Sequence, residues 1–218
     1  MTEPEFIPDF SGDDFADDKE IQRARAERKA YEKLVQECLE LIGEELNANK
    51  SGHINLKGFN IFKSLDATLK QSLKSVINEK VIWVTLVEYE SAFPTARDSN
   101  WGIDQYLIGH ISFNTQFPRT YIQKETLKEK IEDLFLKQDT DFKHCKKFSK
   151  KFHVVTEDKN KLAHLFQSKN LDALTDFPDL ELEFFNNAAL FRSSRKPISM
   201  EEAQIFCNLT KVLLSTFE

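Results

Sequence analysis

The chain has 218 residues, 40% hydrophobic and 30% charged, with only six Gly and six Pro. This composition describes one globular domain of ordinary size and excludes collagen-like, low-complexity and wholly disordered classes. The net charge of −6 weighs against a nucleic-acid partner, and no apolar run is long enough to span a bilayer.

The first twenty residues stand apart. They carry eight carboxylates against Lys19, a net −7, so the rest of the chain is close to +1. Phe6, Phe10 and Phe15 are spaced through this acidic stretch without a helical or strand period. Residues 1–16 are expected to form an acidic arm that folds back on a basic segment or docks on a partner, and residues 17–218 a single α+β domain, with a weaker subdivision near 142 as the alternative. The start, MTEPEFIPDF, lacks a basic region followed by an apolar one, so no signal peptide is expected. Cys38, Cys145 and Cys207 are odd in number and far apart, as expected of free thiols in a reducing cytoplasm.

A long helix is predicted from Asp17 to Leu46. Its first half is charged, and its second carries the stripe Tyr31, Leu34, Val35, Cys38, Leu41, Ile42 and Leu46 at helical spacing. His53–Leu56 reads as a short strand. Phe59–Ile77 reads as a helix, with Phe62, Leu65, Leu69, Leu73 and Val76 on one side. Val81–Tyr89 is a central strand, β-branched and aromatic on both faces. After a loop over 91–105, Tyr106–Phe113 is a second strand, paired antiparallel with the first because no crossover helix separates them. Thr120–Ile122 is a short strand and Glu125–Lys137 a helix.

The last third has the clearest rhythm. A strand at Phe152–Thr156 precedes a helix at Asp158–Gln167 and a helical turn around Leu171 and Leu174. Leu180–Phe185 alternates Leu180, Leu182 and Phe184 with Glu181 and Glu183, which places the two glutamates on a solvent face. Asn186-Asn187 is a two-residue turn, since Asn tolerates positive φ, and Ala188–Ser193 returns. Ser199 to Glu202 is a capping box for a closing helix that buries Ile205, Phe206, Leu209, Val212, Leu213 and Phe217. The adjacent Val212, Leu213 and Leu214 offer more apolar surface than one face needs, which leaves room for a homodimer. Of 19 Phe, 13 lie between Phe113 and Phe217 and predict an aromatic core in that half. The whole is a mainly antiparallel sheet with packed helices.

The segment DFKHCKKFSKKF, 141–152, holds Lys143, Lys146, Lys147, Lys150 and Lys151 between Phe142, Phe148 and Phe152. One reading sets the lysines on phosphates with the rings stacked on bases, or the patch on an anionic lipid surface. The plainer reading turns the rings inward and leaves the lysines in water. The lack of Arg argues against nucleic acid, because Lys cannot contact a base edge or phosphate bidentately.

No nucleotide, metalloprotease or hydrolase motif is present. His144, Cys145 and His153 do not match a zinc spacing, so no metal and no cofactor are expected. His110, Cys145 and His153 are the least remote catalytic set. Glu181 and Glu183 are a carboxylate pair without a cleft in view. Phe148, Lys150, Lys151, Phe152, Val154, Asp158, Leu165, Phe166, Leu182, Glu183, Phe184 and Leu190 together resemble the pattern of a widespread uncharacterised bacterial domain family. That resemblance covers Phe148–Phe191 and implies no activity and no catalytic residues. The expected function is therefore non-catalytic, through an unknown protein partner, with Lys143–Lys151 and the arm phenylalanines as contacts. An anion-binding module and an enzyme with an unrecognised site are the alternatives.

Overall fold

The computed structural model describes residues 18–63, 67–89, 105–124 and 142–217. The arm with Phe6, Phe10 and Phe15, the loop over 91–104 and the expected helix Glu125–Lys137 lie outside the described residues. Two units are distinguished, Met1–Lys33 and Leu34–Glu218.

Helix α1 runs from Asp18 to Glu45. In the first unit its side chains from Gln22 to Lys29 are exposed, and its turns are laced by Arg23–Glu27 and Arg28–Glu32 pairs of 2.8 and 3.0 Å. Such i,i+4 pairs support a helix that buries no face. In the second unit the predicted stripe is buried at Val35, Cys38, Ile42 and Leu46. Asn47, with φ +47°, ends the helix, and the Ala48 N–H returns to the Gly43 carbonyl at 2.8 Å.

The second unit is an α+β domain around an antiparallel sheet of six strands: β1 Asn49–Ser51, β2 Ala67–Ile77, β3 Lys80–Tyr89, β4 Gln105–Lys124, β5 Phe152–Thr156 and β6 Glu181–Arg192. Residues β1 to β3 run side by side, β3 pairs with the first part of β4, and β5 pairs with its last part. The short helix α2, Asn60–Lys63, precedes β2. The helices α3, Lys146–Lys151, and α4, Lys159–Phe166, flank β5, and α5, Met200–Thr216, closes the chain.

Three expectations are corrected. His53–Leu56 is not a strand; the edge strand is Asn49–Ser51. Phe59–Ile77 is not one helix: after α2 the chain extends as β2. Leu69 and Leu73 are one helical turn apart in the sequence, but a register shift between Leu69 and Gln71 sets them opposite Val87 and Val84, on the two faces of the sheet. The turn decides: Asn78 and Glu79 both have positive φ, and they join Ile77 to Lys80 as a two-residue hairpin.

The third correction concerns the last strands. The ladder to β4 runs through both segments on either side of Asn186-Asn187, which makes them one element, β6. Yet its first and last residues touch: Arg192 Nε donates to Glu181 Oε2 at 2.9 Å. A straight strand of this length spans about 36 Å, so β6 doubles back, and it does so at Asn186, where φ is +55°. One arm pairs with Gly109–Ser112 of β4 and the other with Phe117–Ile122, so β4 bends around the fold of β6. At Gly109 the opposing Phe191 ring occupies the space where a Cβ would stand.

One sheet face carries the aromatic core. Phe113, Phe117, Phe166, Phe184 and Phe217 contact one another with ring centroids 4.5–6.5 Å apart, and Phe191 stacks on Phe206 at 5.2 Å. Ser199 caps α5, accepting from the Glu202 N–H at 3.2 Å, and Asp158 caps α4 at 2.9 Å. Leu213 and Leu214 are buried within the chain itself. The apolar surface that suggested a homodimer is thus largely used inside the fold. No helix among the described residues is long and apolar enough to cross a membrane.

Candidate functional site

The basic segment folds into the coil before α3 and α3 itself. Phe142, Phe148 and Phe152 are all buried; the Phe148 ring lies 6.0 Å from that of Phe142 and 5.1 Å from that of Phe152. The Phe148 N–H donates to Asp172 Oδ1 at 2.9 Å, which ties α3 to the 3-10 turn Leu171–Asp176. No ring is free to stack on a base. Lys151 is half-buried and donates to the Thr175 carbonyl. Lys143, Lys146, Lys147 and Lys150 are exposed, and none of the four makes an ion pair among the described residues. Elsewhere on the domain, Lys70, Lys124, Lys196 and Lys211 each face a carboxylate. Lys50, Lys57, Lys63, Lys74 and Lys161 are likewise exposed without an ion pair among the described residues, so what sets the quartet apart is its clustering in and just before α3, which Phe148 and Asp172 anchor.

The suggested catalytic set does not converge. His110 sits in mid-sheet, registered with Trp83 and Leu190, and His153 is registered with Gln123 thirteen positions farther along β4. The buried Cys145 thiol faces the Lys169 carbonyl at 3.5 Å, and His144 Nε2 lies 3.0 Å from the Phe166 carbonyl. His110 Nδ1 is buried without a hydrogen-bond partner, and burial lowers the imidazole pKa to about 4. Among the described residues, no three His, Cys, Asp or Glu side chains are grouped to hold a metal ion.

Glu181 and Glu183 overturn the expected solvent face. They are 5% and 0% exposed, and Leu182 and Phe184 are buried too, so this arm of β6 is covered on both faces. Alternation with Leu cannot reveal that, because it reads the same whether the second face is wet or paired. Glu181 is gripped by Arg192 and by the more exposed Arg195. Glu183 accepts from the Tyr121 hydroxyl at 2.9 Å, from Arg119 Nη1 at 3.2 Å and from the Ile61 N–H at 2.9 Å. Asn60 Nδ2 donates to the Tyr121 oxygen at 2.5 Å, and the Arg119 guanidinium lies over the Phe185 ring at 3.9 Å. Burial raises the Glu183 pKa above the ordinary carboxylate value, against the lowering effect of its N–H, Tyr and Arg partners. Burial, with the Glu183 charge, pushes Tyr121 up to about 12.

A carboxylate–tyrosine–arginine group of this kind can shuttle a proton only where a substrate reaches it, and Glu183 is sealed. A cleft lined by Leu107, Ser193, Ser194, Lys196, Ile198 and Glu202 encloses about 10 Å³, room for about one water molecule and far too little for a small-molecule ligand. The buried carboxylates thus read as clamps, and the lysine quartet as the exposed candidate. No family model matches the chain, and no curated protein or solved structure is significantly similar to it.

Proposed function

We propose that the protein is a non-catalytic module acting through protein contacts, and that Lys143, Lys146, Lys147 and Lys150 form the face that meets an acidic protein segment. The observation that carries this reading is the clustering of four exposed lysines, none with a carboxylate partner among the described residues, between positions 143 and 150. Burial of Phe142, Phe148 and Phe152 supports a protein rather than single-stranded nucleic acid, since base stacking needs exposed rings. The three buried free cysteines are in keeping with a reducing, cytoplasmic setting. The likeness of Phe148–Phe191 to a bacterial domain family adds no catalytic residue to this reading.

The test titrates the full chain against three probes: a labelled Glu/Asp-rich peptide, a single-stranded oligonucleotide and phosphatidylserine-containing vesicles. The expected result is binding of the peptide that weakens steeply between about 50 and 200 mM salt. Changing the four lysines to Ser is expected to lower that binding about tenfold or more. Preference for the oligonucleotide or the vesicles would replace the reading with the anion-binding alternative. Absence of binding, or equal binding by the variant, would overturn both.

A further inference from the structure

Residues 54–63 cross the sheet face opposite the aromatic core without entering any strand. Their apolar side is set by Leu56 and Phe59, buried against Val87, Ile108 and Leu190, and the Phe59 ring meets His110 edge-on at 5.7 Å. Their polar ties meet at one place. The Ile61 N–H donates to Glu183, Arg119 Nη2 donates to the Gly58 carbonyl at 3.1 Å, and Asn60 holds Tyr121, which itself donates to Glu183. Arg119 pairs with the same carboxylate. The one regular element in this stretch, α2, is a single turn, too short to persist without tertiary support.

We propose that residues 54–63 are a strap that opens from the sheet as one unit, with the Glu183 carboxyl group and the Arg119 guanidinium as its latch. Opening hydrates Glu183 and bares the apolar surface of Val87, Ile108 and Leu190. Closure is then linked to the proton on Glu183. Because the closed, buried carboxyl holds its proton more tightly than a hydrated one, closure is strongest with Glu183 protonated and weakens as pH rises through its raised pKa. The charged and titratable groups that face Glu183 among the described residues are Arg119 and Tyr121 from β4; the strap offers only N–H groups there. Glu157, after β5, reaches Arg119 at 3.9 Å. His110, beneath Phe59, acts in the opposite sense: it closes best when neutral, and that contribution is lost as pH falls from about 6.5 toward its pKa of about 4.

Hydrogen exchange followed by mass spectrometry on the full chain, corrected for intrinsic rates, tests this. Peptides covering 54–63 are expected to exchange by local opening, with lower protection than β3 and β4, and to lose protection as pH rises through the Glu183 titration. Glu183→Gln, whose neutral amide stands in for the protonated carboxyl, is expected to abolish that pH dependence and to hold strap exchange near its low-pH level across the range, while β3, β4 and α5 change less than about twofold. Asn60→Ala, at a half-buried position, removes a single tie and raises strap exchange alone, so the idea stays testable if Glu183→Gln fails to fold. Strap protection equal to that of β3 and β4 in the parent protein would overturn the proposal, as would a pH dependence that survives in Glu183→Gln.

Discussion

The two glutamates of β6 differ in how their charge is met. Glu181 lies between two guanidiniums, one of them 7% exposed. Burying such a pair brings little net stability, since desolvation offsets the attraction, but removing one partner strands the other. Glu181→Leu is therefore expected to destabilise the domain by about 3–5 kcal/mol, because the buried Arg192 loses its carboxylate. The double variant Glu181→Leu/Arg192→Leu is expected to recover most of that loss. Arg195, 41% exposed, then turns to water. Urea unfolding midpoints of the parent, single and double variants decide the matter. A double variant as unstable as the single one would show that the pair contributes through its geometry and not through an uncompensated charge.

At the scale of the element, the fold of β6 is where local chemistry and topology meet. Asn186 adopts φ +55°, which a β-branched residue tolerates poorly and glycine freely. Asn186→Val is expected to cost about 1–2 kcal/mol, and Asn186→Gly to stay within about 0.5 kcal/mol of the parent by thermal or urea unfolding. Equal losses in both would mean that the Asn side chain, rather than the backbone, holds the fold-back. This element also marks the limit of sequence reading. Asn-Asn predicts a hairpin turn, whereas its two arms both pair with β4 as one strand. The capped helices α4 and α5 and the β-branched strand β3 were legible because each follows from a few adjacent residues. The role of β2 was not, since the register shift between Leu69 and Gln71 breaks the strand alternation and leaves Leu69 and Leu73 at helical spacing. The burial of Glu181 and Glu183 was not legible either, because it depends on Arg119 and Tyr121, placed by the register of β4, and on Arg192 at the far end of β6. For the lysine segment, the sequence allowed rings in or rings out; contact with Phe166 and Asp172 turns them in.

At the scale of the whole molecule, the net charge of −6 conceals a distribution that matters more than the total. The net negative charge comes from the first twenty positions, while the second unit holds the lysine quartet and, among its buried titratable groups, His110 and Glu183. These two act on stability in opposite directions as pH changes. His110 is neutral in the fold down to about 4, against an ordinary 6.5. The unfolded chain therefore binds the extra proton first, and stability is lost as pH falls through that window, by up to about 3 kcal/mol. Glu183 has a raised pKa, so the folded chain holds its proton longer, and stability is lost as pH rises above the ordinary carboxylate value. In unfolding free energy measured by urea from pH 4 to 8, His110 is expected to add a contribution that rises between about 4 and 6.5, and Glu183 one that falls above the ordinary carboxylate value, the two opposing each other where they overlap. His110→Phe should remove the rising contribution and Glu183→Gln the falling one. If each variant keeps both slopes, the pH response arises from other groups, and neither buried side chain governs it.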